Sequence, residues 1–145
     1  MLSTIERVLF LRSADIFSAV TGEDLAPLAM VAQEVRFEAG ETFIRHGEAG
    51  DCLYVVVDGE VGVVVDGVGQ VAVRGPGSVQ GEMAILADRP RSVDCVAIDG
   101  VLALRVDRDD FLELLAERPT LALGVIKVLT QRLYQATEEL SRARR

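Results

Sequence analysis

The chain has one histidine, His46, and two cysteines, Cys52 and Cys95, among its 145 residues. Neither cysteine stands at metal-ligand spacing from the other or from His46, so a bound metal is not expected. Ser92 has no histidine to serve as its base, and no other nucleophile with a neighbouring base can be assembled. The expectation is a protein that is not an enzyme. Both cysteines sit in valine-rich, strand-like stretches, the setting of buried free thiols in a reducing cytoplasm. Long apolar runs are also missing: the uncharged stretches Leu25 to Gln33 and Pro119 to Ile126 fall well short of the roughly 20 residues a spanning helix needs. The first ten residues carry Glu6 and Arg7 inside the apolar run, without the basic start and small-residue cleavage site of a secretory signal. A cytoplasmic chain with no direct membrane insertion is expected. Positive charge is scarce as well, 15 basic against 23 acidic residues for a net charge of −8, and such a surface repels phosphate backbones. Nucleic acid is therefore not an expected partner, and the cluster Arg142, Arg144 and Arg145 reads as a solvated helix end.

What is present is apolar: half of the residues are hydrophobic, enough for one domain over residues 1–145 with a proper core and no second, catalytic domain. Eleven of the 13 glycines fall between Gly40 and Gly100, together with most of the valines, whereas both flanks are rich in Leu and Ala. The chain thus divides into helices over about 1–34, a sheet region over 35–106 and helices over 107–145. Thr4 to Leu11 is a helix candidate. Asp24 to Glu34 is a second, with Thr21 as its capping signal and Pro27 acceptable only near its start. In the middle, turn signals at Glu38-Ala-Gly40, His46-Gly47, Gly50-Asp51, Asp58-Gly59, Asp66-Gly67, Gly75-Pro76-Gly77 and Asp99-Gly100 recur every seven to ten residues or so, the mark of an antiparallel sandwich or roll. Asp66-Gly67 between Val61–Val65 and Val71–Val73 predicts a tight hairpin; Gly67-Val-Gly69 lacks the third glycine and following helix of a dinucleotide fingerprint. Asp107, with Asp109 and Asp110 behind it, predicts a helix start, and Arg118-Pro119 its stop. The last helix should run from about Pro119, with Ala122, Ile126, Leu129, Leu133, Ala136 and Leu140 along one seam. That seam serves equally for packing on its own sheet or for dimerisation.

One segment breaks the period-two pattern, Gly77-Ser-Val-Gln80-Gly81-Glu82-Met83-Ala84-Ile85-Leu86 and on to Pro90-Arg91-Ser92-Val93. Glu82 to Leu86 are helix formers in a piece too short to be stable alone, so the fold must hold that turn. Its start presents the free backbone N–H groups of Met83, Ala84 and Ile85, which favour an anion. Gly81 has no side chain to block approach, and Pro90 pre-sets a loop that can return Arg91 to the same place, where a guanidinium suits a phosphate. A carboxylate at Glu82 needs a donor beside that phosphate, and a sugar hydroxyl is one. The parts describe a pocket for one phosphate and a ribose, with sheet valines for a base. With one arginine to meet the charge, a singly charged diester fits better than a monoester.

Gly81-Glu82-Met-Ala-Ile-Leu followed by Pro90-Arg91-Ser92 resembles the phosphate-binding cassette of cyclic nucleotide-binding domains. Glu38-Ala-Gly40-Glu41, Gly47-Glu-Ala-Gly50-Asp51, Leu53-Tyr54-Val-Val-Val-Asp58-Gly59 and Gly75-Pro-Gly77 resemble that family's turns in order. The resemblance implies a mainly β, α+β fold: an eight-stranded antiparallel β-roll, jelly-roll-like, with helices at both ends and a short cassette helix. It implies a regulatory module whose ligand is cAMP, favoured over cGMP, with no further cofactor. By the same resemblance Glu82 binds the ribose 2'-hydroxyl and Arg91 the cyclic phosphate. Gly81, Met83 and Ala84 contribute backbone contacts, and Ser92 a hydroxyl to phosphate or base. Val63 and Val71 are candidates for the base, and Leu133 and Tyr134 for a lid from the terminal helix, which the family uses as a hinged cover or a dimer seam. Gln80, where an aromatic usually stands, and Val93-Asp94, in place of an Ala-Thr-like pair, depart from the pattern. They leave open a second reading, a ligand-free interaction module of the same fold. A transcription factor of the related type carries a helix-turn-helix after this helix, and the sequence stops at Arg145. The expected partner is thus an effector in cis or in trans, and a second copy through the last helix.

Overall fold

Strand β3, Cys52–Asp58, is buried at six of its seven residues, and this explains the unbroken valine run. Its alternate side chains enter different cores. Leu53, Val55 and Val57 face a layer of helices, and Cys52, Tyr54 and Val56 face the space between two sheets. Strand β8, Val101–Asp107, divides in the same way, with Leu104 and Val106 on the helix side and Val101 and Ala103 inside.

In the computed structural model, which describes residues 1–144, these two strands are flanked by β1, Gln33–Phe37, and β6, Val79–Gln80, in a four-stranded sheet of order β1-β8-β3-β6. The second sheet, of order β2-β7-β4-β5, consists of β2 (Thr42–Ile44), β4 (Val61–Val65), β5 (Gly69–Arg74) and β7 (Asp94–Ala97). Every pairing is antiparallel. The result is the eight-stranded antiparallel roll that the resemblance implies, one of the two forms, sandwich or roll, left open by the turn signals. The Asp66-Gly67 hairpin forms as a three-residue loop between β4 and β5, with Gly67 at φ +78°.

Helices α1 (Thr4–Ser13), α2 (Gly22–Val31), α4 (Arg108–Glu117) and α5 (Pro119–Ala143), with a 3-10 turn at Asp15–Phe17, cover the first sheet. Ser3 and Glu6 close a capping box on α1. The second helix departs from the sequence expectation at both ends. It starts at Gly22 behind Thr21, five residues ahead of Pro27, which sits inside it and removes one helical hydrogen bond. It stops at Val31 because Gln33 and Glu34 pair instead with Arg105 and Leu104 of β8. Asp107 occupies the N-cap of α4, but its carboxylate accepts from Arg105 Nε at 2.9 Å and not from the helix. Leu11, Ile16, Phe17, Leu25, Leu28, Phe111, Leu121 and Val125 form the helix-side core, with Phe17 and Phe111 edge to face at 6.1 Å. Gly124 lets α5 pass close over the loop after the 3-10 turn: a Cβ there would lie 2.7 Å from Val20 Cγ2. The buried face of α5 is not the seam read from the sequence. Leu121, Val125 and Val128 are buried, whereas of that seam Ala122 and Leu129 are half-buried and Ile126, Leu133, Ala136 and Leu140 are exposed. No helix is long and apolar enough to cross a membrane among the described residues. Arg145, the last of the terminal arginines, lies outside them.

Candidate functional site

Between the sheets the roll is apolar except at one end, where a cavity of about 590 Å³ opens. Its floor is a row of neighbours on the inner face of the second sheet: Val63 of β4 and Ile44 of β2 flank Cys95 of β7. Its wall is the cassette. β6 ends at Gln80, Gly81 turns the chain at φ +96°, and α3, Glu82–Leu86, begins at once. Only glycine adopts that backbone freely, and here it also makes room, since a Cβ at Gly81 would collide with Arg91 Nη1 and approach the Cys52 carbonyl oxygen to 3.0 Å. The five-residue α3 is held in place by Ile85, buried in the helix-side core, and by Ala84 against Gly50, where a Cβ would come within 2.7 Å of the Ala84 methyl.

Arg91 returns to the cassette as the sequence anticipates. Two backbone bonds of 2.8 Å fix its loop, Arg91 N–H to Glu48 O and Gly47 N–H to Arg91 O. The side chain is 5% exposed. Nη2 donates to Asp51 Oδ1 at 3.2 Å and lies 3.5 Å from Cys52 Sγ. Nη1 is buried with no hydrogen-bond partner among the described residues. A buried cation with an unsatisfied donor is costly unless something else takes the bond, and this one borders the cavity.

Glu82 is buried beside it. Burial holds its carboxyl above the ordinary carboxylate value of 4.5, against the opposing pull of its own backbone N–H and of Arg132. Arg132 Nη1 donates to Glu82 Oε1 at 3.2 Å, while its Nη2 donates to Asp15 Oδ1 at 2.7 Å. The terminal helix therefore touches the cassette through a charge. Cys95 at the floor is a neutral thiol, pushed up to about 11 by burial, and both cysteines are free and buried.

Gly81, Glu82, Met83, Ala84, Arg91, Ser92 and Val63 all line the cavity. Val71 does not. Val63 pairs with Ala72 and Val64 with Gln70, so Val71 is the extra residue of a β-bulge and lies exposed. Leu133 and Tyr134, 68% and 69% exposed, face away from the cavity, and Arg132 occupies the position at its mouth. The signal for Arg132 was available, because Leu121, Val125, Val128 and Arg132 follow one another at helical spacing and set a charge at the end of a buried stripe. Asp51 was visible only as half of a turn. Asp94 stays out of the cavity lining, its Oδ1 accepting the His46 backbone N–H at 2.7 Å. Gln80 turns inward.

A family model described as "Cyclic nucleotide-binding domain" matches residues 34–118. The chain is 32% identical over 135 residues to a CRP-like cAMP-activated global transcriptional regulator of Mycobacterium tuberculosis, covering 90% of this chain and 60% of that protein. The chain thus spans about 60% of the length of that curated relative. Among solved structures it is similar to the N-terminal domain of a transcriptional regulator from Streptomyces coelicolor, with TM-score 0.76, 30% identity, and 89% and 95% of the two chains covered. It is also similar to the regulatory subunit of a cAMP-independent protein kinase A from Trypanosoma brucei, with TM-score 0.74, 28% identity, and 97% and 52% covered.

Proposed function

The chain belongs to the cyclic nucleotide-binding domain family, and we propose that its cavity takes cAMP in preference to cGMP and passes the event on through α5. The observation that carries this is the Arg91 guanidinium, buried, positioned by Asp51, and with Nη1 unpartnered at the cavity. A cyclic phosphate brings one negative charge and the acceptors that Nη1 lacks. Glu82 then accepts from the ribose 2'-hydroxyl, and the base lies over Val63 and Ile44. The preference for cAMP takes its support from the mycobacterial relative, which is named as cAMP-activated.

The same carboxylate that meets the ribose accepts from Arg132 Nη1. Bound nucleotide competes for it and so favours a different placement of Arg132 and of the helix that carries it. The effect on α5 can be no larger than the difference in nucleotide affinity between the two placements. On the same helix the exposed residues Ile126, Leu133 and Leu140 recur every seven positions, a stripe suited to a second copy or to an effector.

A ligand-free module of the same fold finds no support in the site. The trypanosome regulatory subunit is described as belonging to a cAMP-independent kinase, so the proposal rests not on this architecture alone but on the cassette side chains Glu82 and Arg91, which both line the cavity. Calorimetric titration with cAMP, cGMP and 5'-AMP tests the proposal. Micromolar or tighter binding of cAMP, weaker binding of cGMP and much weaker binding of 5'-AMP are expected, with Arg91→Ala losing at least tenfold. An Arg91→Ala affinity within a factor of two of the parent chain would refute the phosphate contact.

A further inference from the structure

Gln80 is a carboxamide at the end of β6, in the wall of the cavity, against a floor made of Ile44, Val63 and Cys95. It is 8% exposed and lines the cavity. Among the described residues its one side-chain hydrogen bond is a long one, from the Cys95 thiol to Oε1 at 3.7 Å. The hydrogens on Nε2 have no protein acceptor there. Arg91 Nη1 is the one buried side-chain nitrogen or oxygen without a partner among the described residues, so Gln80 Nε2 is not sealed off and its hydrogens are open to the cavity that the residue lines; a leucine would fill the same space with no donor. A residue that breaks the local rule with no structural return is a candidate for contact with a ligand.

Its position says which part of the ligand. Gln80 faces Tyr54 across the β3–β6 pair, so Cys52, two residues along β3 on the same inward face, is its diagonal neighbour. Cys52 Sγ is 3.5 Å from Arg91 Nη2. Gln80 is also joined directly to Gly81, whose missing Cβ leaves the space that Arg91 Nη1 occupies. The carboxamide and the guanidinium thus belong to one patch of the cavity wall.

We propose that Gln80 Nε2 is a second side-chain donor to the anionic group of the ligand, beside Arg91 Nη1. This rests on the cyclic nucleotide function proposed above and adds a binding residue to it. Because the contact is to the phosphate and not to the base, it serves cAMP and cGMP alike.

The test compares the parent chain with Gln80→Leu by thermal melting without nucleotide and by calorimetry with both nucleotides. Gln80→Leu is expected to melt at the same temperature or higher, since it gives up only the long bond from the Cys95 thiol and buries more apolar surface. Its affinity for cAMP and cGMP should fall by the same factor, about tenfold, which is about 1.4 kcal/mol. Gln80→Glu, which places a negative charge beside the anion, should lose more. If Gln80→Leu does not fold, Gln80→Met carries the same expectations. Unchanged affinity would make Gln80 a packing residue and overturn the proposal, most clearly if the melting temperature also fell. A loss for one nucleotide more than fivefold greater than for the other would move the contact to the base and overturn it too. A parent chain that binds neither nucleotide would remove the proposed function itself, a result distinct from a parent chain that binds and a Gln80→Leu variant that binds equally well.

Discussion

β3 and β8 separate two cores that treat polar groups in opposite ways. On the helix side the buried carboxylate of Asp24 is fully engaged, accepting from Arg118 Nη1 at 3.0 Å and from Thr120 Oγ1 at 2.5 Å. Those bonds tie α2 to the junction of α4 and α5. On the roll side Arg91 has an unpartnered nitrogen, Gln80 has one long bond, and Glu82 is held above its ordinary pKa. One core spends its polar groups on the fold, and the other leaves a buried guanidinium nitrogen unpartnered beside a cavity. Folding alone favours the first arrangement, and the second is the one on which the proposed ligand contact rests.

Phe111→Ala should break the helix-side core most severely. The ring is fully buried against Phe17, and truncations of this kind cost about 3–5 kcal/mol. Denaturant unfolding measures it. The contrast sharpens if nucleotide affinity, measured where the variant is still folded, changes little. An affinity that falls in step with stability would mean the two cores are not separable.

The roll was legible because its evidence is local: a turn every few residues, valine runs between them, and Thr21 and Asp107 ahead of α2 and α4. The cassette was legible for the same reason, since Gly81, Glu82 and Arg91 lie within eleven residues of one another. What was hidden depends on long-range placement. The β-bulge that turns Val71 outward comes from the pairing of β4 with β5. The early end of α2 comes from β1 pairing with β8. The contact of Arg132 with Glu82 spans fifty residues, and the pairing of Asp51 with Arg91 spans forty. On α5 the periodicity was plain, but a helix with apolar residues around more than one face does not announce which of them the fold will cover.

That division of α5 gives the next test. Leu133→Glu should leave monomer stability within about 0.5 kcal/mol, as substitutions at exposed positions do, because its side chain touches neither core. The expected change lies in assembly: if a second copy uses the outward stripe, light scattering should find a dimer for the parent chain and a monomer for Leu133→Glu. The same state for both chains would show that this stripe does not join copies through Leu133. A marked loss of stability in the monomer would instead put Leu133 in the folded core.

The smallest effect expected is a pH dependence that belongs to the roll side alone. The Glu82 carboxyl is held above 4.5 by burial. Its protonated form therefore stabilises the nucleotide-free fold, in full below about pH 4.5 and progressively less as pH rises through the raised value. Bound nucleotide replaces the Arg132 guanidinium, which pulls the Glu82 pKa down, by a neutral hydroxyl and sets an anionic phosphate nearby, so the pKa rises further and binding takes up a proton. Affinity for cAMP should accordingly be stronger at pH 5 than at pH 7.5, while Glu82→Gln, which cannot ionise, should bind with a nearly flat profile. Calorimetry at both pH values, in buffers of different ionisation enthalpy, reads the affinity and the proton uptake together. An equal pH dependence in the parent chain and in Glu82→Gln would assign the titration to another group and leave Glu82 without its place at the ribose.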